Sequence, residues 1–163
     1  MPAYKQKLTG EQEYLTQEWI ASKYVGYFDP CPFPRPEWNG LQVDWGQKAF
    51  VNPPFRYVRP WVEKAITESE KGCLVHMLLP VAVSTAVWHD LIFPKAREII
   101  FLKRHQPYLR IRDNKIVKIE SCIVIFALTH SQGEGRGRHD NGDDDGDDVW
   151  EERTSVKARV SNR

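Results

Sequence analysis

A chain of 163 residues, 41% hydrophobic and 12% aromatic, has material for one core of ordinary size and hardly for two. Its formal charge of +1 hides an asymmetry: residues 130–163 carry nine acidic and six basic side chains, which leaves the preceding body basic by a net +4. That balance permits a polyanionic partner without requiring one. The three cysteines, Cys31, Cys73 and Cys122, are too far apart for a disulfide framework or a paired-cysteine metal site, and no apolar run reaches the roughly 20 residues of a membrane span.

Taken in chain order, the first segment is "TGEQEYLTQEWIASKYV", where Tyr14, Leu15, Trp19 and Ile20 recur at helical spacing and Thr9 stands where a cap belongs. It is expected to be a helix. "VGYFDP" reads as a short strand that Pro30 must end, and "CPFPRPEWNG" as a stiff irregular loop. A strand that runs into such a loop is a natural ligand position. "FVNPPF" closes another short strand and is followed by "YVRPWVEKAITESEKG", in which Val58, Trp61, Val62, Ala65 and Ile66 form one stripe and Gly72 offers a C-terminal cap. "CLVHMLLPVAV" has the continuous apolar character of a strand covered on both faces. "STAVWHDLIFPKA" predicts a short helix capped by Ser84 or Thr85, with Trp88, like Trp61, in the core, and "REIIFLKR" predicts a strand. "YLRIRDNKIVKIESCIVIFAL" gives two or three strands with Asp113-Asn114 at a turn. The alternation predicts an α/β fold with a mixed, mostly parallel sheet. The segment after Leu128 is too polar to offset its ordering entropy, so the expected division is a folded domain over 1–129 and a disordered acidic tail over 130–163.

The most specific stretch is Asn52-Pro53-Pro54-Phe55. In an open α/β sheet, ligands bind at the carboxyl ends of strands, where these residues fall. Two consecutive prolines remove two backbone donors and stiffen the chain, leaving carbonyls and the Asn52 side-chain oxygen as an array of acceptors. Such an array suits a planar exocyclic amine, as on adenine or cytosine, with Phe55 stacking on the ring. Chemistry of this kind rests on positioning an amine against an activated methyl group, without a nucleophilic side chain.

"NPPF" resembles the [DNS]PP[YFW] motif of amino-methyltransferases that use S-adenosylmethionine. With Glu18-Trp19, "FDPCPFP", "GLQVDWG", "PWVEKAITES" and "VHMLLPVAVSTAVWHD" in the same order, residues 15–128 resemble the phage-type Dam-like DNA N6-adenine methyltransferases. The resemblance implies a compact Rossmann-like fold, S-adenosylmethionine as cofactor, and Asn52, Pro53, Pro54 and Phe55 as the catalytic loop. It also implies cofactor contacts from Asp29 and Pro30, from Glu18 and Trp19, and from Asp44. The chain departs from the family in having no glycine between Asp29 and Gly40 and "IAS" where a threonine-proline usually follows Glu-Trp, which bears on cofactor affinity.

A basic and aromatic cluster, Lys103, Arg104, Tyr108, Arg110 and Arg112, suits a nucleic-acid backbone. The reading is thus a cytoplasmic DNA adenine N6-methyltransferase, a monomer or weak dimer, with DNA as partner and neither membrane nor metal. His76, His89 and His105 lack ligand spacing. The alternatives are transfer to cytosine N4, RNA or protein, and a nucleic-acid-binding protein of the same fold that has lost catalysis.

Overall fold

The computed structural model describes residues 12–128 and 153–156. The elements run α1 (Glu18–Ala21), β1 (Lys48–Val51), α2 (Val58–Glu70), β2 (Leu74–Pro80), α3 (Phe93–Lys95), β3 (Glu98–Leu102), β4 (Gln106–Arg110), β5 (Lys115–Ile119), β6 (Ser121–Phe126) and β7 (Arg153–Val156). Short 3-10 turns follow α1 (Ser22–Tyr24) and precede α2 (Phe55–Tyr57), and a π-helical turn, Trp88–Ile92, runs into α3.

Five strands form one sheet in the order β1-β2-β6-β3-β7, and β4 and β5 make a separate hairpin. The sheet is mixed, as expected, but mostly antiparallel rather than mostly parallel, with one parallel pair, β1 and β2. The cause is β6. Strands β2 and β3 run in the same direction, yet β6 lies antiparallel between them, pairing Leu78 with Ile123 on one side and Ile100 with the same Ile123 on the other. All six residues of β6 are buried, so the most apolar strand takes the centre. An apolar run marks a strand covered on both faces, but does not say which neighbours it takes.

Strand alternation sends side chains to two cores. Ala49, Val51, Val75, Met77 and Leu79 face Trp61, Val62 and Ala65 of α2, together with Trp88 and Ile92. Phe50, Leu78, Ile100, Ile123 and Ile125 face Ile20, Tyr24 and Tyr108 on the opposite side. Each fully buried branched side chain contributes about 1.5–3 kcal/mol, and both faces are needed to hold so short a sheet.

The expected helix over the first segment is confined to Glu18–Ala21 and the following 3-10 turn; Thr9 lies outside the described residues. Residues 13–15 are extended instead, because the chain pairs with β4: Leu15 N–H donates to Leu109 O at 3.0 Å and Ile111 N–H to Glu13 O at 3.0 Å. Helix α2 forms as expected, and Gly72 follows it at φ +103°, where a side chain is disfavoured. Asn114 likewise takes φ 60° in the β4–β5 turn. Thr85 stands directly before the next helical turn, its carbonyl accepting Trp88 N–H at 3.1 Å and His89 N–H at 3.2 Å, but its hydroxyl donates back to Ala82 O at 2.8 Å and makes no side-chain cap. The expected disordered tail lies outside the described residues, except where 153–156 form the edge strand β7 beside β3. No helix among the described residues is long and apolar enough to cross a membrane.

Two polar groups, one buried and one half-buried, brace this frame. Glu68, 1% exposed, accepts from Lys64 Nζ at 2.5 Å, Lys71 Nζ at 2.9 Å and Trp45 N–H at 3.2 Å, tying the loop before β1 to α2. Desolvation acts to raise its carboxyl, but these hydrogen bonds outweigh it and hold the pKa below the usual value. On the other face, His76 of β2 meets the Tyr24 hydroxyl through Nδ1 at 3.1 Å and lies edge-on to the rings of Tyr24 and Tyr27.

Burial lowers the His76 pKa to about 4, against a smaller opposing effect of Glu98. The unfolded chain therefore binds the extra proton first, so stability is full above about pH 6.5 and falls as the pH drops from there toward 4. Urea unfolding at pH 7 and pH 4.5 should show wild type losing on the order of 2 kcal/mol more than His76→Gln, allowing for the ring's partial exposure. Equal losses in the two proteins would remove His76 as the cause.

Candidate functional site

The site is built at the carboxyl end of β1. Phe28 forms a parallel bridge to Ala49, its N–H donating to Lys48 O at 3.0 Å and Phe50 N–H donating to Phe28 O at 2.9 Å. Asp29 and Pro30 thus leave the sheet edge in the same direction as Asn52. The loop between them is held down by Gly40: a Cβ there would lie 1.8 Å from Pro30 O and 3.0 Å from the Trp61 ring, and Gly40 O accepts from Trp45 Nε1 at 2.8 Å. Only glycine allows this approach. The glycine that matters comes at the end of the loop, not in its first turn.

Asn52 is 1% exposed. Its Nδ2 donates to Tyr14 O at 2.8 Å and to Thr16 Oγ1 at 3.0 Å, and its backbone carbonyl accepts from Gln12 Nε2 at 3.4 Å. Its Oδ1, in contrast, is the one buried side-chain polar atom among the described residues without a hydrogen-bond partner. A buried acceptor left unpaired costs about 1–3 kcal/mol, so its persistence calls for a ligand or a role.

Pro53 and Pro54 are buried, and Pro54 O accepts from Tyr57 N–H at 3.0 Å, which turns the loop directly into α2. Phe55 is partly exposed. It packs on Tyr14 at 5.2 Å between ring centroids and on the edge of Tyr108 at 6.0 Å.

Asp29 accepts the Cys31 N–H at 2.9 Å; desolvation of its carboxyl raises its pKa, with that hydrogen bond in opposition, although part of the residue remains exposed. Glu18 and Trp19 are exposed on α1, with the Trp19 Nε1 donating to Gln17 Oε1. Asp44 is not brought to this site. It precedes β1 at the opposite end, where it accepts Gly46 N–H at 2.7 Å and lies 3.9 Å from Lys71.

Of the basic and aromatic cluster, Tyr108 is fully buried and donates to Ser121 Oγ at 2.8 Å, so it supports Phe55 from within instead of presenting a face to a base. Lys103 and Arg104 are exposed in the turn between β3 and β4, and Arg112 is exposed beyond β4. Arg110 grips Asp113 with two hydrogen bonds of 2.9 and 2.6 Å and holds that carboxyl at a pKa of about 2. The pair persists at neutral pH, and it mutes the charge of Arg110.

Two cavities flank the loop. One, of about 310 Å³, lies between residues 55–60 and the end of β2, with Phe55, Pro80, Thr85 and Trp88 in its wall. The other, of about 260 Å³, is bounded by Tyr14, Arg56, Arg110 and Arg112. Among the described residues no group of three or more His, Cys, Asp or Glu is placed to hold a metal ion.

Sequence reasoning missed Gln12, Tyr14, Thr16 and Gly40. In an extended segment, positions 12, 14 and 16 share one face, and that face meets the Asn52 loop; the helical reading of the same residues dispersed them.

With this geometry in view, comparison with known proteins is informative. A family model of DNA N-6-adenine-methyltransferase (Dam) matches residues 30–119. A protein of Haemophilus phage HP1 (strain HP1c1), named DNA N-6-adenine-methyltransferase, is 39% identical over 72 residues, which cover 43% of this chain and 41% of the relative. The matched stretch thus spans about two fifths of that relative's length. No solved structure matches.

Proposed function

This chain belongs to the DNA N-6-adenine-methyltransferase (Dam) family, and from that premise we propose that it methylates the exocyclic amine of adenine in DNA, in the cytoplasm, with S-adenosylmethionine as methyl donor. The observation that carries the proposal is the unpaired, buried Asn52 Oδ1 at the carboxyl end of β1. An acceptor kept without a partner, beside two prolines that contribute no N–H, fits a ligand that brings hydrogen-bond donors and nothing else.

We assign the cofactor to the carboxyl end of β1. Asp29 and Pro30 leave the sheet beside Asn52, and with Glu18 and Trp19 they are the groups we assign to hold it. S-adenosylmethionine, when bound, supplies a methyl group activated by its sulfonium. Everything else falls to the chain. Asn52 Oδ1 accepts a hydrogen bond from one N–H of the amine and the Pro53 carbonyl from the other, which draws the nitrogen lone pair out of conjugation with the ring; the proton lost on methylation leaves to solvent. Phe55, braced by Tyr14 and Tyr108, stacks on the base. Solvent does not reach Oδ1 in this form, so an incoming amine has to part the side chains around it. Such exclusion of water strengthens the hydrogen bonds once they form. Lys103, Arg104 and Arg112 contribute contacts to DNA phosphates, and Arg110 a weaker one. We assign Tyr108 to the support of Phe55 and leave Asp44 outside the site. The family's Rossmann-like architecture is part of the proposal. It is supported by the common direction of β1, β2 and β3 and by the parallel bridge at Phe28.

Incubation of the full chain with methyl-labelled S-adenosylmethionine and unmethylated DNA, RNA or a protein extract tests the reading. Label in DNA is expected. Cofactor binding with label only in RNA or protein would redirect the substrate assignment, and absence of both binding and transfer would favour the non-catalytic alternative.

A further inference from the structure

The polarity of the Asn52 side chain is set from outside its own loop. A carboxamide can turn over and exchange its oxygen for its nitrogen, and a reversed Asn52 would present donors to the substrate. The described contacts oppose that reversal. Tyr14 O has no proton to give. A reversed group would set Oδ1 against Tyr14 O, acceptor against acceptor, so the carbonyl sets the polarity and Oδ1 points the other way, unpaired. Thr16 Oγ1, which accepts from Asn52 Nδ2 at 3.0 Å and Gln12 Nε2 at 3.4 Å, anchors the second N–H and so fixes the plane in which the oxygen is aimed.

We propose that Thr16 is a positioning residue that fixes the Asn52 carboxamide with its oxygen toward the substrate and so selects bases that carry an exocyclic amine. This deepens the proposed function and rests on it. A base with a carbonyl at the corresponding position would place acceptor against acceptor. With Thr16 gone, Tyr14 O still holds one Nδ2 hydrogen, so the bias weakens without disappearing. Gln12, itself 8% exposed, completes the arrangement by bridging Thr16 and the Asn52 carbonyl.

The test compares wild type, Thr16→Val and Thr16→Ser. Valine keeps the shape and removes the oxygen; serine keeps the oxygen. Thr16→Val should lower kcat for methyl transfer about tenfold with KM within about threefold, and Thr16→Ser should restore most of it. A second readout is binding without turnover, with single-stranded oligonucleotides in which every adenine is replaced by purine, which lacks the amine. Wild type and Thr16→Ser should prefer the adenine strand, and Thr16→Val should lose most of that preference. Thermal unfolding of each variant identifies a folding defect, and the serine variant keeps the test valid if valine perturbs the fold. An active wild type whose Thr16→Val variant matches it in kcat and base preference overturns this inference alone. Equal losses in Val and Ser also overturn it, since the oxygen would then be irrelevant. A wild type that methylates no DNA removes the functional reading and this inference with it.

Discussion

Asn52→Ala is expected to lower the turnover of methyl transfer by about 10²–10³-fold at saturating S-adenosylmethionine and DNA, while its thermal midpoint should fall by only about 5 °C. The two effects separate because Asn52 plays unlike parts in the resting protein and in the reaction. At rest its Nδ2 satisfies Tyr14 O and Thr16 Oγ1, and its Oδ1 satisfies nothing. Truncation strands Tyr14 O and takes one of the two donors of Thr16 Oγ1, but it also removes a buried unpaired acceptor, so the net loss of stability should be about 1–2 kcal/mol. In the proposed reaction the same Oδ1 is the acceptor for the amine on which charge develops, so its loss should fall on turnover. A variant that loses stability and activity in proportion would show Asn52 to be a structural anchor and no more.

Gly40→Ala should destabilise the fold by about 3 kcal/mol or more, to be read by urea unfolding. The added Cβ would stand 1.8 Å from Pro30 O and 2.7 Å from Pro30 C, and neither belongs to a side chain that can swing away. The backbone itself has to move. Because Pro30 follows Asp29 directly, the displacement reaches the proposed cofactor edge, and S-adenosylmethionine affinity should fall in whatever fraction remains folded. Gly46→Ala is the control. Gly46 sits at φ +70° with nothing within 4 Å of an added Cβ, so its cost is only the left-handed backbone strain of about 1–2 kcal/mol. Similar losses at the two positions would mean that the loop around Gly40 yields easily.

Much of this arrangement was legible in the sequence because local chemistry dictated it. The stripe from Val58 to Ile66 forms α2, Gly72 ends it, and the prolines after Asn52 follow the end of β1 at Val51. What escaped depends on partners distant along the chain. Gln12 to Thr16 are extended because β4, more than ninety residues later, supplies backbone partners that helical spacing cannot foresee. The insertion of β6 between β2 and β3 is a matter of pairing order, to which an apolar run such as "SCIVIF" is indifferent. Tyr108 lies within a visibly basic stretch, yet strand alternation and the Ser121 hydroxyl take it inward. Asp44 matches a family segment, and the chain places it before β1, away from Asn52. The Dam match itself begins at Pro30, so Gln12, Tyr14 and Thr16 had to be found from contacts alone.

Whether the Asn52 loop presents an adenine amine for methylation is decided by digesting unmethylated DNA to nucleosides after incubation with the full chain and S-adenosylmethionine, then separating the methylated products by mass. N6-methyladenine as the dominant product, absent with Asn52→Ala, is the predicted result. N4-methylcytosine in its place, or N6-methyladenine formed equally well by the variant, would contradict the account.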